Sequence, residues 1–163
     1  MRIAVCVKQV PGTHEVSIDP ETKRLKREGV EAVLNPFDAY AIEEAVRIKE
    51  ALGGEVVAIS MGPKQAEACL REALSCGADQ AILLSDRAFG GSDTWATSYA
   101  LACAIRHVGK IDLVICGKQA IDGDTAQVGP GIAAHLNWPQ ATYASNTREV
   151  SDRQITVDRM HED

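Results

Sequence analysis

The sequence predicts an α/β fold: an open, mostly parallel sheet with helices on both faces, stacked in three layers. Three observations predict it. Four short runs are apolar without alternation: Ile3-Ala4-Val5-Cys6-Val7, Val56-Val57-Ala58-Ile59, Ala81-Ile82-Leu83-Leu84 and Leu113-Val114-Ile115-Cys116. Strands buried on both faces read this way. Each run is followed by a segment with apolar residues at helical spacing. The resulting order, βαβαβαβαβ, is the one that makes a parallel sheet with crossover helices. The 163 residues suit one domain spanning 1–163. A chain of that size hides roughly two-thirds of its unfolded surface, enough for a core without staples.

Residues Arg2 to Val10 form the first predicted strand, closed by Pro11-Gly12. Glu15 to Ile18 and Lys23 to Lys26 flank Asp19-Pro20-Glu21-Thr22, which predicts an exposed hairpin insertion at about 13–30. Asn35-Pro36 opens a helix: Asn is a good N-cap, Pro suits the first helical position, and Asp38 favours the positive end of the dipole. Its inner face carries Ile42, Ala45, Val46 and Leu52, and Gly53-Gly54 closes it. The second strand is Glu55 to Met61, and Gly62-Pro63 opens a helix with the stripe Ala66, Cys69, Leu70, Ala73, Leu74 and a C′ residue at Gly77. After the third strand, Ser92 or Asp93 caps a helix that faces inward with Leu101, Ala104, Ile105 and Val108. A glycine- and aspartate-rich loop follows the fourth strand and leads to a helix with Val128, Ile132, Ala133 and Leu136, ended by Trp138-Pro139. Ala141 to Val150 and Gln154 to Asp158 are extended segments of period-2 character split by Ser151-Asp152-Arg153. The last segment, 141–163, breaks off without a helix or turn to finish it.

Composition narrows the function. Hydrophobic residues at 45% and charged residues at 25% exclude disorder, and with 4% aromatics the core must be aliphatic. Seventeen basic against 23 acidic residues leave a net charge of −6, which argues against a nucleic-acid or membrane-surface binder. No apolar run is long enough for a membrane span. Met1-Arg2-Ile3 enters a strand directly, so no signal peptide is visible. Five cysteines, with no CxxC, indicate neither a disulfide framework nor a zinc site. Cys6 and Cys116 fall in strand runs, and Cys69 and Cys103 on apolar helix stripes. They read as buried thiols acting as small hydrophobes in a reducing, cytoplasmic compartment. His14, His107, His135 and His161 share no metal-ligand or nucleophile–base spacing, and no catalytic constellation is present.

In an open parallel sheet ligands bind beyond the carboxyl ends of the strands. The richest such segment is Gly117-Lys118-Gln119-Ala120-Ile121-Asp122-Gly123-Asp124-Thr125-Ala126-Gln127-Val128-Gly129-Pro130. Gly117 lets the chain leave the strand tightly, and Gly123 supplies permissive backbone angles. Asp124 to Gln127 has the form of a capping box, Asp at the cap and Gln three residues on. That predicts free backbone N–H groups from Thr125 to Val128 at the positive end of a helix, an anion site to which the Thr125 hydroxyl adds a donor. Asp122 and Asp124 fit there as cap and as acceptors for ribose hydroxyls. A capped surface helix without ligand stands beside this, and Asn35 has the same two roles open, N-cap or edge contact to an adenine or ribose. The loop is neither GxxxxGK[ST] nor GxGxxG, so nucleotide hydrolysis has little support. Phe89-Gly90-Gly91-Ser92-Asp93 is like the SGGxDS loop of ATP pyrophosphatases but follows the wrong strand.

Taken in order, Val5 to Pro11, Asn35 to Ala45, Met61-Gly62-Pro63, Ala73-Leu74 with Gly77-Ala78-Asp79, Gly117 to Pro130, and Trp138-Pro139-Gln140 with Thr142-Tyr143 resemble the beta subunit of the electron transfer flavoprotein family. The resemblance covers nearly the whole chain. It implies a Rossmann-like, adenine-nucleotide-binding fold and a heterodimer with an FAD-holding alpha subunit. It further implies electrons accepted from flavin-dependent dehydrogenases such as acyl-CoA dehydrogenases, in a carrier that is not a stand-alone enzyme. By motif, Cys6, Val7 and Lys8 would meet the adenine through backbone. Asn35, Asp38, Met61 and Gly62 would line the nucleoside. Gly117, Gln119, Asp122, Gly123, Asp124, Thr125, Ala126, Gln127 and Val128 would hold ribose and phosphates. One branch of the family holds AMP; another, with bifurcating and nitrogen-fixation-associated forms, holds a second FAD. The wording Asp122 to Pro130 looks like the second branch, as do Thr94 and Thr97, placed to reach a flavin ring. FAD is the expected cofactor, with AMP the alternative. Family members run substantially further, through parts that dock on partners. A nucleotide-binding regulatory module of the universal-stress type is the competing function, but its G-x2-G-x9-G-[ST] loop is absent.

Overall fold

Side by side, four of the predicted strands make the central sheet: β1 (Arg2–Cys6), β4 (Glu55–Met61), β5 (Gln80–Leu84) and β6 (Leu113–Cys116). All pair in parallel, in the spatial order β5-β4-β1-β6. The computed structural model describes residues 1–12, 32–151 and 153–160. The predicted hairpin at about 13–30 lies outside them. On either side of that stretch, β2 (Gln9–Pro11) and β3 (Ala32–Leu34) pair antiparallel as a short ribbon. The first predicted strand therefore divides. Arg2 to Cys6 belongs to the sheet, and the chain leaves it at Val7 to build the ribbon.

Side chains of successive strand residues point to opposite faces, so each central strand contributes to two cores. Ile3, Val5, Val56 and Ala58 pack with Ala41, Ile42, Ala45 and Ile48 of α1 (Pro36–Leu52) and Cys69, Leu70 and Ala73 of α2 (Glu67–Ser75). Ala4, Cys6, Val57 and Ile59 pack with Leu101, Ala104 and Ile105 of α3 (Thr94–Val108) and Ile132 of α4 (Val128–Leu136). Thus α1 and α2 cover one face, α3 and α4 the other, and the three-layer expectation holds.

Several predicted inward residues are displaced by tertiary packing. Leu52 and Leu74 lie at the rims of their helices, 40% and 41% exposed, and Ile48 replaces Leu52 on the inner face. Cys103 is exposed rather than buried, and Cys76, which the sequence placed on no apolar face, is exposed as well. Helix spacing places Cys103 on an apolar stripe, but α3 touches the sheet through the adjacent stripe of Leu101, Ala104 and Ile105. The strands β5 and β6 are sheet edges, hence only half-buried. After α4 the chain does not return to the sheet. Strands β7 (Ala144–Val150) and β8 (Ile155–Arg159) pair only with each other, antiparallel, in a mostly exposed hairpin.

Where the strands begin, polar groups close the sheet. Arg2 bonds Glu55 of β4 through Nε at 2.8 Å and donates from Nη1 to the carbonyls of Val108 and Gly109, satisfying the carboxyl end of α3. Its backbone N–H donates to Asp112 Oδ2 at 2.7 Å. Next to it Asp79 accepts from the Val56 N–H and from Lys49. Gly54 touches Met1 here so closely that a Cβ would lie 1.8 Å from the Met1 carbonyl oxygen.

Candidate functional site

From adjacent strands β1 and β6 the chain departs to opposite faces, toward α1 and toward α4. Such a switch point opens a crevice at the carboxyl ends of the two strands. Cys6, Val7 and Lys8 form one lip, and the segment from Gly117 to Val128 forms the other.

Two side chains from the start of α1 hold the lips in place. Asn35 is 1% exposed. Its Nδ2 donates to the Gln119 carbonyl at 2.9 Å, and its Oδ1 accepts from the Ile121 N–H at 3.3 Å. It sits at the N-cap position as predicted, but its side chain makes no capping bond; the neighbouring loop takes both of its polar atoms. Asp38, 6% exposed, accepts from the Lys8 N–H at 2.7 Å and lies beside the Gly117 N–H. Burial pushes its carboxyl up to about 6, against the opposing pull of Asn35 and of these N–H groups. Gly117 is required by closeness: a Cβ there would stand 2.2 Å from Asp38 Oδ1 and 2.7 Å from the Phe37 carbonyl carbon.

The exposed part of the loop is cross-braced. Lys8 Nζ meets Asp122 Oδ1 at 2.6 Å, and Gln119 Nε2 donates to Asp124 Oδ1 at 2.7 Å. The hydroxyl of Thr94, at the start of α3, donates to Gln127 Oε1 at 3.1 Å. The Ala120 carbonyl accepts from both Gly123 and Asp124 N–H.

The predicted capping box does not form. Helix α4 begins at Val128, with Gln127 as N-cap and no side-chain cap. Gly123 has no left-handed backbone angle; that conformation falls on Asp124 (φ 50°) and Ala126 (φ 53°). Asp tolerates it because its short side chain bonds locally, here to Gln119; for Ala it stores roughly 1–2 kcal/mol. The alternation turns the backbone so that the N–H groups of five successive residues, Thr125 to Gly129, have no acceptor among the described residues. The sequence expected four of these donors as the first turn of a helix. The structure supplies them from a kinked approach to one, and adds Gly129. Successive unpaired N–H groups at a helix start are an anion-binding concavity. The signal for Gly129 was Pro130: proline is tolerated in the first turn of a helix, which places Gly129 in that turn, where N–H groups have no intrahelical acceptor.

All the other predicted site residues gather at this end of the sheet. Cys6 and Val7 are buried at the end of β1, and the Val7 N–H bonds the Ile59 carbonyl. Thr97 lies one turn beyond Thr94, half-buried. Met61 and Gly62 end the next strand over, where the Gly62 N–H bonds the Leu84 carbonyl. Fit to a nucleotide is favourable on the donor side: five N–H groups match a phosphate or diphosphate. The acidic Asp122 and Asp124 are held aside by Lys8 and Gln119. Among the described residues, no helix is long and apolar enough to cross a membrane.

A family model described as "Electron transfer flavoprotein domain" matches residues 22–163. The chain is 57% identical over its full length to an electron transfer flavoprotein subunit beta of Thermoanaerobacterium thermosaccharolyticum, covering 62% of that protein. It is 57% identical to subunit CarD of the caffeyl-CoA reductase-Etf complex of Acetobacterium woodii, again over all of this chain and 62% of the relative. It is 50% identical to Protein FixA of Azotobacter vinelandii, over 99% of this chain and 59% of the relative. The chain thus spans about three-fifths of the length of these relatives.

Proposed function

The chain belongs to the electron transfer flavoprotein family, on its beta-subunit side, and from that premise we propose that it is the nucleotide-binding body of an electron-carrying subunit. It holds FAD, or alternatively AMP, across the switch-point crevice and works in a heterodimer with an alpha subunit. The dimer takes electrons from flavin-dependent dehydrogenases such as acyl-CoA dehydrogenases in the cytoplasm, and this subunit is not a stand-alone enzyme. One observation carries the proposal: the run of N–H groups from Thr125 to Gly129, without an acceptor among the described residues, beside the ends of β1 and β6.

The residues divide the work by chemistry. The N–H groups of Thr125 to Gly129 and the Thr125 hydroxyl hold the phosphates. The exposed carboxylates of Asp122 and Asp124 accept from ribose hydroxyls. Backbone at Cys6 to Lys8 reads the adenine edge, while Asn35 and Asp38 fix the distance between the lips. Thr94 and Thr97 line the side from which a flavin ring would be reached. When bound, the flavin supplies reversible electron uptake, and the protein orients it and sets its surroundings. Small side chains at Thr125 and Ala126 leave room for a diphosphate, which favours FAD.

The test is the released cofactor. Purified protein is expected to be yellow and to release FAD on boiling; colourless protein releasing AMP selects the alternative. Thr125→Glu places a carboxylate among the five donors. It is expected to lower retention at least tenfold while leaving the melting temperature unchanged, since Thr125 is exposed. Unchanged retention would overturn the proposal.

A further inference from the structure

Cys6 and Cys116 are register partners on the adjacent parallel strands β1 and β6, and their side chains share one face of the sheet. Neighbouring strands lie about 4.8 Å apart, within the range of Cα separations that a disulfide spans. The neighbouring Cys116 thiol and burial hold the Cys6 thiol above the usual thiol pKa. Cys116 is half-exposed, and its sulfur lies under the first turn of α4. A Cβ at Gly129 would stand 3.8 Å from that sulfur. Glycine at this position leaves the space beside the sulfur free, where a larger side chain would press against it.

We propose that Cys6 and Cys116 are a reversible dithiol–disulfide pair at the floor of the crevice, oxidised by low-molecular-weight disulfides. Cys116, the reachable thiol, loses its proton and attacks one sulfur of the reagent. The reagent's S–S bond breaks and one thiol leaves with the proton. Cys6 then loses its proton and attacks the Cys116 sulfur of the mixed disulfide, and the second reagent thiol leaves. Two protein thiols are oxidised by two electrons, and one small disulfide is reduced to two thiols. Cys6 is the resolving thiol because it is buried beside its partner and out of reach of the reagent. The bond would join the bases of the two lips, since the loop from Gly117 begins at the next residue. This site does not depend on which nucleotide binds.

The experiment uses protein with Cys76→Ser and Cys103→Ser, which removes the two exposed thiols away from the crevice. It is treated with glutathione disulfide and mapped by non-reducing digestion and mass spectrometry. The expected product is a Cys6–Cys116 peptide pair two hydrogens lighter than the reduced peptides, reversed by dithiothreitol. Cys6→Ala is expected to stop at a glutathione adduct on Cys116, and Cys116→Ala to leave Cys6 unmodified. Should either variant fail to fold, phenylarsine oxide tests the parent: one equivalent is expected to bind and to block the reaction. A lasting glutathione adduct on Cys116 without the cross-link, or a cross-link formed only in urea, would overturn the proposal. So would folded protein in which neither thiol reacts.

Discussion

At the end of the sheet where the strands begin, Arg2 bridges β1, β4 and the carboxyl terminus of α3. Asp112 and Asp79 each take a neighbouring strand's backbone N–H. Where the strands finish, Asn35 and Asp38 also bond backbone, but they fasten loops whose outer donors have no partner among the described residues. The first arrangement satisfies polar groups within the protein. The second holds a row of backbone dipoles open toward solvent. Stability is concentrated at one end and binding capacity at the other, built from the same kinds of bond.

Three substitutions would break or sharpen that contrast. The largest effect is expected from Gly117→Val. Its Cβ would collide with the Asp38 carboxylate and with Phe37 backbone, neither of which is a flexible chain end. A loss of about 4 kcal/mol is expected in urea unfolding, together with loss of nucleotide. Asp38→Asn comes next, and its signature is pH. Burial raises this carboxyl from 3.8 to about 6 in the folded protein. Between those values the folded state binds more protons than the unfolded state. The group's contribution is therefore fully present below about pH 4 and is lost as pH rises through 6, on the order of 3 kcal/mol. Asp79 and Glu44, whose carboxyls are held low, work in the opposite direction. The difference between the parent and Asp38→Asn isolates the Asp38 share: the parent is expected to lose stability relative to the variant from pH 4 to 7. A flat difference would contradict it. The smallest of the three is Arg2→Met, which keeps the aliphatic stem and removes the bonds to Glu55 and the α3 carbonyls. About 2 kcal/mol is expected from chemical denaturation, with nucleotide retention unchanged. A loss of nucleotide with Arg2→Met would end the separation of the two ends.

The main elements were legible because periodicity and punctuation agree. Asn35-Pro36 and Gly53 bracket α1 at its observed bounds, Asp93 caps α3 through the Ala96 N–H, and the four apolar runs became the four sheet strands. The site was legible as a segment, Gly117 to Val128, but its geometry was not. Asp124-Thr125-Ala126-Gln127 spells a capping box, and local pattern reading assigns it to the helix. In the structure Gln119 holds Asp124, Asn35 holds Gln119 and Ile121, and Thr94 holds Gln127. Three of these four bonds come from Asn35 or Thr94, outside the loop, and they pull the segment off the helix axis.

By itself the sequence determined the alternation of strand and helix, the parallel sheet, and which loop is rich enough in donors to bind an anion. These follow from hydrophobic period and residue-specific backbone preferences, which act within a few neighbours. Only the tertiary structure decided that β6 would lie beside β1, pairing Cys6 with Cys116 across 110 residues of chain. It also decided that Asn35 and Asp38 would serve loops instead of their own helix, and that β7 and β8 would stand off as a separate hairpin. The physical reason is common to all three. Each depends on which distant donor or apolar face is offered when the chain closes, and no local propensity encodes that choice.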